Sequence, residues 1–258
     1  MKLSIIIPAY SEENTISEVL ARVNQVKLPC KKEVIIVNDG SCDSTKNKID
    51  KLKKSGNNIK IISHLKNKGK GAAIITGIKH ATGDYILIQD ADLEYSPEEI
   101  PFLLKPILSK TNSNPLIADK QPIYPEQNQE PSGSLRSRRT TNIAIYGSRF
   151  RSRKVDIPTL YLWGNKILTT VTNLLYATKL TDMETCYKLI PASVMRKMKL
   201  TCRSFDIEPE ITINLIKNNI PIVEVPISYK SRTHKAGKKI TFKDAFGAIK
   251  TLLSNRFF

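Results

Sequence analysis

Four short β-branched runs, each followed by a helical pattern, limit what the first hundred residues can fold into. The runs are Leu3 to Ile7, Glu33 to Asn38, Ile59 to Ser63 and Asp84 to Gln89. Between them the apolar spacing takes a helical period over Glu12–Val26, Ser44–Lys54 and Gly71–Ala81. Strands joined through single helices need right-handed crossovers, which give a mostly parallel, doubly wound sheet flanked by helices. Such sheets bind ligands beyond the carboxyl ends of their strands. The residues that follow each run are therefore the ones to read for chemistry.

Downstream, Ser96-Pro97 reads as the cap and first turn of another helix. Residues 111–139 are rich in Asn, Pro, Gln and Ser and end in Arg136-Ser137-Arg138-Arg139, the composition of a mobile insertion. Order is expected to resume with a strand at 142–147, a helix at 161–178 and a strand at 186–190. Helices at 191–198 and 208–218, a strand at 222–227 and an amphipathic, basic helix from Thr241 to about Arg256 complete one domain of 258 residues.

A net charge of +17 calls for an anionic partner: nucleic acid, membrane surface or a phosphorylated substrate. The chain has no zinc finger, RNP-type motif or basic stretch interleaved with aromatics, so nucleic acid is set aside. No run approaches the ~18 apolar residues of a membrane span. The chain opens directly in a strand-like run, so the expected location is the cytoplasm. Four scattered cysteines without a CxxC pair argue for reduced thiols rather than zinc or a disulfide framework. His64, His80 and His234 show no ligand spacing and read as structural or surface residues.

Four strand ends carry the chemistry. After the first run, Tyr10 can stack on a base and Glu12 can accept its amino hydrogens; Ser11-Glu12-Glu13 is equally a helix cap with acidic first-turn residues. After the second, Asp39 in Asn38-Asp39-Gly40-Ser41 suits a ribose hydroxyl or a base edge, or plain turn chemistry. The third, Asn67-Lys68-Gly69-Lys70-Gly71, opens a helix whose N-terminus favours an anion, or is a turn with solvated lysines. The fourth, Asp90-Ala91-Asp92-Leu93-Glu94, has the strongest signal. In extended chain alternate residues point the same way, so Asp90, Asp92 and Glu94 would aim three carboxylates at one volume. Like charges that close repel unless a cation lies among them, and Mg2+ or Mn2+ fits, held by one or two carboxylates with substrate phosphates.

The ordered set Pro8-Ala9-Tyr10-Ser11-Glu12, Asn38-Asp39-Gly40-Ser41, Gly69-Lys70-Gly71, Gly83-Asp84 and Asp90-Ala91-Asp92 resembles the GT-A domain of family 2 glycosyltransferases. Within that family it is similar to the branch of dolichyl-phosphate mannose synthase and bacterial polyprenyl-phosphate glycosyltransferases. Gly147-Ser148-Arg149, Asp182 to Lys188, Phe205 to Glu210, Val225 to Tyr229 and Arg232 through Ile240 extend the match over nearly the whole chain except 111–139. The resemblance implies a nucleotide-sugar half over 1–110, an acceptor half over 140–240 and an accessory helix over 241–258. It assigns Pro8, Tyr10, Glu12, Asp39, Lys70 and Asp90 to the nucleotide-sugar. Asp90 and Asp92 become the DxD motif, with Asp92 the main ligand of Mg2+ or Mn2+ and Glu94 a third. Arg149, Arg232, Lys238 and Lys239 would neutralise phosphates, and Asp182 would be an acceptor-side acid, so that Asp92, Asp182 and Arg149 form the catalytic set. Ser11 in place of the usual Asn, Asn38 in place of a common Asp and Lys238 in place of a common Ser blur which nucleotide is read.

On this reading the enzyme is an inverting hexosyltransferase using GDP-mannose or a UDP-hexose. Its acceptor is a polyprenyl or dolichyl phosphate, which arrives ionised and needs cations rather than a base. The rivals are a saccharide or protein hydroxyl acceptor, with Asp182 or Glu184 as base, and a non-catalytic nucleotide-sugar binder. A lipid acceptor implies a peripheral protein on the cytoplasmic face of an anionic membrane. Phe242, Phe246, Ile249 and Leu253 share one face of the last helix and would lie in the interface or pack on the sheet.

Overall fold

The computed structural model describes residues 1–54, 59–111, 142–152, 155–233, 237, 239 and 242–257. The expected insertion at 111–139 lies outside the described residues apart from its first position, and Lys238 and His234 lie wholly outside them. In chain order the elements are β1 (Lys2–Ala9), α1 (Ile16–Gln25), β2 (Lys31–Asn38), α2 (Thr45–Lys54), β3 (Ile59–Ser63), α3 (Lys70–His80) and β4 (Tyr85–Ile88). Next come a 3-10 turn (Pro97–Glu99), α4 (Ile100–Thr111), β5 (Ala144–Ser148) and β6 (Val155–Asp156). Then follow α5 (Thr159–Tyr176), β7 (Lys188–Pro191), α6 (Ala192–Met195), α7 (Ile207–Lys217), β8 (Ile222–Pro226), β9 (Tyr229–Lys230) and α8 (Phe242–Phe257).

The described residues build a seven-stranded sheet in the order β3-β2-β1-β4-β7-β5-β8, with β6 and β9 forming a separate two-stranded ribbon. The parallel half, β3-β2-β1-β4, follows the expected crossovers. β7 runs antiparallel to both β4 and β5 and lies between them, so all four of its residues are buried. A central strand with both faces covered is apolar as a rule, yet β7 carries Lys188. Its ammonium is fully buried and donates to Met183 O, Thr185 O and Glu208 Oε2, the last at 2.5 Å.

Two expected boundaries move for local reasons. α1 starts at Ile16, not Glu12, because Ser11 adopts a φ of 48° and the Glu12 N–H donates to Thr45 Oγ1. Ser96 stands at the start of the 3-10 turn, but its hydroxyl donates to Glu98 and receives Arg22 instead of capping the turn.

α3 lies close to β1 because Gly77 has no side chain. A Cβ there would stand 2.4 Å from Ile6 Cγ2. Gly77→Ala is expected to destabilise the protein by about 1–3 kcal/mol through overpacking, in spite of alanine's better helix propensity. A lowered urea midpoint at unchanged m-value is the measurement.

Candidate functional site

A cavity of about 410 Å3 opens at the carboxyl edge of β1, β2 and β4. This is the size range of small-ligand sites, in the place where open parallel sheets bind ligands. Its lining includes Pro8 near the end of β1 and Tyr10 just after it, Asp39 after β2, Lys70 at the start of α3, and Asp90, Asp92 and Glu94 after β4. From the second half of the chain come Arg149, Glu184, Phe205, Glu208, Arg232 and Lys239. Asp182 does not line it.

The β2 and α3 ends join through Asp39. Its Oδ1 accepts the Lys68 N–H at 2.9 Å and its Oδ2 the Gly69 N–H at 2.8 Å. His64 Nδ1 lies 2.6 Å from Oδ1, and Nε2 reaches Thr76 Oγ1. The anion that the glycine-rich turn attracts is thus the protein's own Asp39. Gly69, at a φ of 95°, and Gly71 let the turn approach the 202–203 backbone, where a Cβ at Gly71 would lie 2.4 Å from Cys202 O. Lys70, expected near the donor, lines the cavity and is held by two carboxylates there: its Nζ lies 2.9 Å from Asp90 and 3.3 Å from Glu208. Burial pulls its pKa down, but these carboxylates hold it well above the ordinary value.

Glu12 also has a different task from the one expected. Its carboxylate receives both terminal nitrogens of Arg232, at 2.7 and 2.8 Å, and Lys239 Nζ at 2.6 Å. Lys239 also bonds the Tyr10 and Ser11 carbonyls and sits 5.5 Å from the Tyr10 ring centre. Glu12 therefore anchors a cationic strap across the β1 end and is engaged as an acceptor. Arg232 Nη2 lies 3.4 Å from Asp92 Oδ2, whereas its Nε is buried without a hydrogen-bond partner.

The three-carboxylate expectation needs correction. Residues 90–94 turn instead of extending, with Leu93 at a φ of 63°, so alternation does not align the side chains. Glu94 accepts the Tyr229 hydroxyl and the Arg232 backbone N–H. Among the described residues no three His, Cys, Asp or Glu side chains gather as a metal cluster. Asp92 still feels the crowding: burial first, then Asp90 and Glu94, raise its pKa to about 7 against the pull of Arg232. A divalent cation relieves that strain. Asp92 with Asp90 fits an ion that takes only one or two protein carboxylates and completes its shell with phosphate and water.

Arg149 and Asp182 form a closed pair. The guanidinium donates to both carboxylate oxygens at 2.7 Å, and the Arg149 N–H adds a third bond at 2.9 Å. Asp182 is fully buried behind it, so it is not presented to an acceptor, and Arg149 faces the cavity with its charge already neutralised. Glu224 accepts the Thr181 and Asp182 N–H groups and holds this loop to β8.

Sequence reasoning gave no role to the lining residues Glu208 and Phe205 or to buried Lys188, which pairs with Glu208, and offered Glu184 only as a rival base. Burial raises the Glu184 pKa to about 7, opposed by Lys188 and reinforced by Glu208. The available signal was a single charge, Lys188, in apolar β7 and the acids Glu208 and Glu210 in the first turn of mostly apolar α7. Missed too was the cluster of Tyr95 with Tyr187 and Tyr229, at ring-centre distances of 4.8 and 5.0 Å, which ties the Asp90–Glu94 turn to the second half.

Known proteins resemble this chain to different depths. The chain is 38% identical over 107 residues to a dolichol-phosphate mannosyltransferase of Pyrococcus furiosus, which is 42% of this chain and 30% of that protein. It is 34% identical over 107 residues to an undecaprenyl-phosphate 4-deoxy-4-formamido-L-arabinose transferase of Klebsiella pneumoniae, covering 40% and 33%. The matched part thus spans about a third of the length of these relatives. Glucosyl-3-phosphoglycerate synthase from Mycobacterium tuberculosis, solved with Mn2+, uridine diphosphate and phosphoglyceric acid, superposes on 100% of this chain and 79% of its own. The TM-score is 0.67 at 14% identity. The same enzyme with Mg2+ and uridine diphosphate gives a TM-score of 0.66, also at 14% identity, over 99% and 79%. At this identity the likeness shows the fold, which is GT-A. The profile of glycosyl transferase family 2 matches residues 4–195, well over half of the chain, and the protein belongs to that family.

Proposed function

We propose that the protein is an inverting hexosyltransferase that moves a sugar from a UDP- or GDP-linked donor to the phosphate of a polyprenyl- or dolichyl-type lipid. The observation that carries this reading is the meeting, in one cavity, of crowded Asp92 and a cationic strap whose Arg232 Nε lacks an acceptor. A diphosphate suits this pairing, since its oxygens would accept from the cationic strap and share a cation with Asp92. Asp92 and Asp90 would hold Mg2+ or Mn2+, which supplies charge stabilisation to the departing nucleoside diphosphate. Pro8 and Tyr10 flank the base, and Asp39 keeps the turn above it in place. Lys239 and Arg232 add fixed positive charge where the leaving group gains negative charge. Solution of the donor complex is the most direct check on these placements.

The acceptor oxygen attacks the anomeric carbon as the bond to the diphosphate breaks. A phosphomonoester is already ionised near neutral pH. The seclusion of Asp182 behind Arg149 withdraws one of the two acids expected as base for a hydroxyl acceptor and leaves Glu184 as the other. The relatives named for dolichol and undecaprenyl phosphate support a phosphate acceptor.

A lipid acceptor brings the cavity to a membrane surface, on this reading the cytoplasmic face. No helix among the described residues is long and apolar enough to cross one. α8 is not a free interfacial helix: Ala248 and Leu252 are buried, and Tyr176 of α5 donates to Leu252 O at 2.8 Å. Its other side leaves Phe246, Leu253 and Phe257 exposed, beside Leu160, Trp163 and Ile167 on α5. Ile249 packs partly inward, and the Phe242 side chain lies outside the described residues. Leu160 also lines the cavity. Exposed Lys166, Lys250 and Arg256 accompany this apolar face, a combination suited to anionic lipid.

Four outcomes are expected. In wild type, UDP or GDP with Mn2+ should raise the melting temperature and EDTA should abolish the effect. Asp92→Asn should lose that response. The raised Asp92 pKa means that the fold disfavours its charged form, so stability falls as pH rises from about 4, the unfolded value, to about 7. Asp92→Asn should therefore melt higher than wild type at pH 8 without metal and show no such gain at pH 4. Arg232→Ala should lower kcat/KM for transfer by about 100-fold or more, as loss of a leaving-group donor does; wild-type kinetics would remove it from the site. Finally, Trp163→Glu with Phe246→Glu should abolish co-sedimentation with anionic vesicles but spare transfer to a short, water-soluble lipid phosphate. Equal binding by both proteins would detach this face from the membrane.

A further inference from the structure

One carboxyl at the cavity floor has no part in the chemistry above. Glu184 lines the cavity, and its Oε1 is shielded from solvent without a hydrogen-bond partner. The neighbouring charges explain why. Lys188 Nζ lies 2.5 Å from Glu208, and Lys70 Nζ bridges Glu208 and Asp90 at 3.3 and 2.9 Å. Two ammonium groups thus answer Glu208 and Asp90, and among the described residues Glu184 forms no ion pair. The cations suited to a diphosphate, Arg232 and Lys239, are held by Glu12 and Asp92 instead.

The cavity is therefore electrically divided. A phosphate placed against Glu184 would meet a like charge, and an apolar group would leave the carboxyl unsatisfied. A hydroxyl suits it in either protonation state, because it can donate to a carboxylate and accept from the acid. Phe205, which shares the floor with Lys70 5.8 Å from its ring centre, adds an apolar face of the kind a sugar ring covers.

Resting on the donor reading above, we propose that Glu184 is a specificity-determining residue whose half-buried, cavity-lining carboxyl accepts a hydrogen bond from a hydroxyl of the donor's sugar. The nucleotide and the sugar are then read by separate groups, the first from the β1 end and the strap, the second from the floor.

Glu184→Ala and Glu184→Gln test this with bare nucleotide and nucleotide-sugar in parallel. Stabilisation by UDP or GDP with Mn2+ should match wild type, since the bare nucleotide does not reach Glu184. For the best donor in a panel of UDP- and GDP-hexoses, KM should rise and kcat/KM should fall by about 10–100-fold in the alanine variant, the range for a lost hydrogen bond to a charged group. Glutamine keeps an acceptor and should lose less. Both variants should flatten the ranking of epimeric donors. They should also melt no lower than wild type, because each removes an unpaired buried acid. Unchanged KM and donor ranking overturn the proposal. So does loss of bare-nucleotide binding, and so does a collapse of kcat alone at constant KM, which points to proton abstraction. If wild type itself binds neither nucleotide with Mn2+, the donor reading falls and this inference falls with it; a binding wild type with an indifferent variant removes Glu184 alone.

Discussion

Charge buried at the carboxyl edge of the sheet is the constraint on which this structure depends. A buried carboxylate is tolerated only with a cation or several N–H donors against it. Nearly every acid here is answered in that way. Asp182 has Arg149, Glu208 has Lys188 and Lys70, Glu12 has Arg232 and Lys239, and Asp39 and Glu224 have backbone N–H groups. Because partners come from distant segments, each pair also fixes one part of the chain against another. The two acids least well answered, Asp92 and Glu184, both face the cavity, and both have pKa values raised to about 7. Incomplete neutralisation at these positions, amid complete neutralisation elsewhere, marks where external chemistry belongs.

The pairs also explain how the late part of the chain enters a site begun by the early part. Glu94 accepts Tyr229 and the Arg232 N–H, while Tyr95 packs between Tyr187 and Tyr229. The turn that carries Asp92 is thus held by Tyr187, just before β7, and by β9. Arg232 and Lys239 then reach back to Glu12, closing the site from the opposite end of the sequence. A diphosphate that competes for these cations would act on the strap and on β1 together, so donor capture and strap position are one equilibrium.

α5 and α8 extend the same economy of placement to the outer surface. Their shared inner side buries Leu168 and Leu252, and their outer sides keep Leu160, Trp163, Phe246 and Phe257 exposed. On the proposed reading, the tail of a lipid whose phosphate enters the cavity would leave past Leu160, which both lines the cavity and is exposed.

Much of this was legible in the sequence. The β-branched runs and helical spacing dictate the parallel half of the sheet, since local periodicity decides which face of each element is buried. Crossover handedness then puts Tyr10, Asp39, Lys70, Asp90 and Asp92 at one edge. Tertiary structure alone decided what these groups do there. In the fold 90–94 turns where local alternation would have extended it, and Glu94 accepts from Tyr229 and Arg232. Asp39 and Glu12 look like ligand acceptors in the sequence, yet each is claimed by donors 25 or more positions away. Likewise Asp182 disappears behind Arg149, and Glu184 emerges only because Lys188 and Lys70 choose other partners. Periodicity is a local property and survives in one dimension. Charge pairing is fixed by proximity between distant segments, and proximity exists only once the chain has folded.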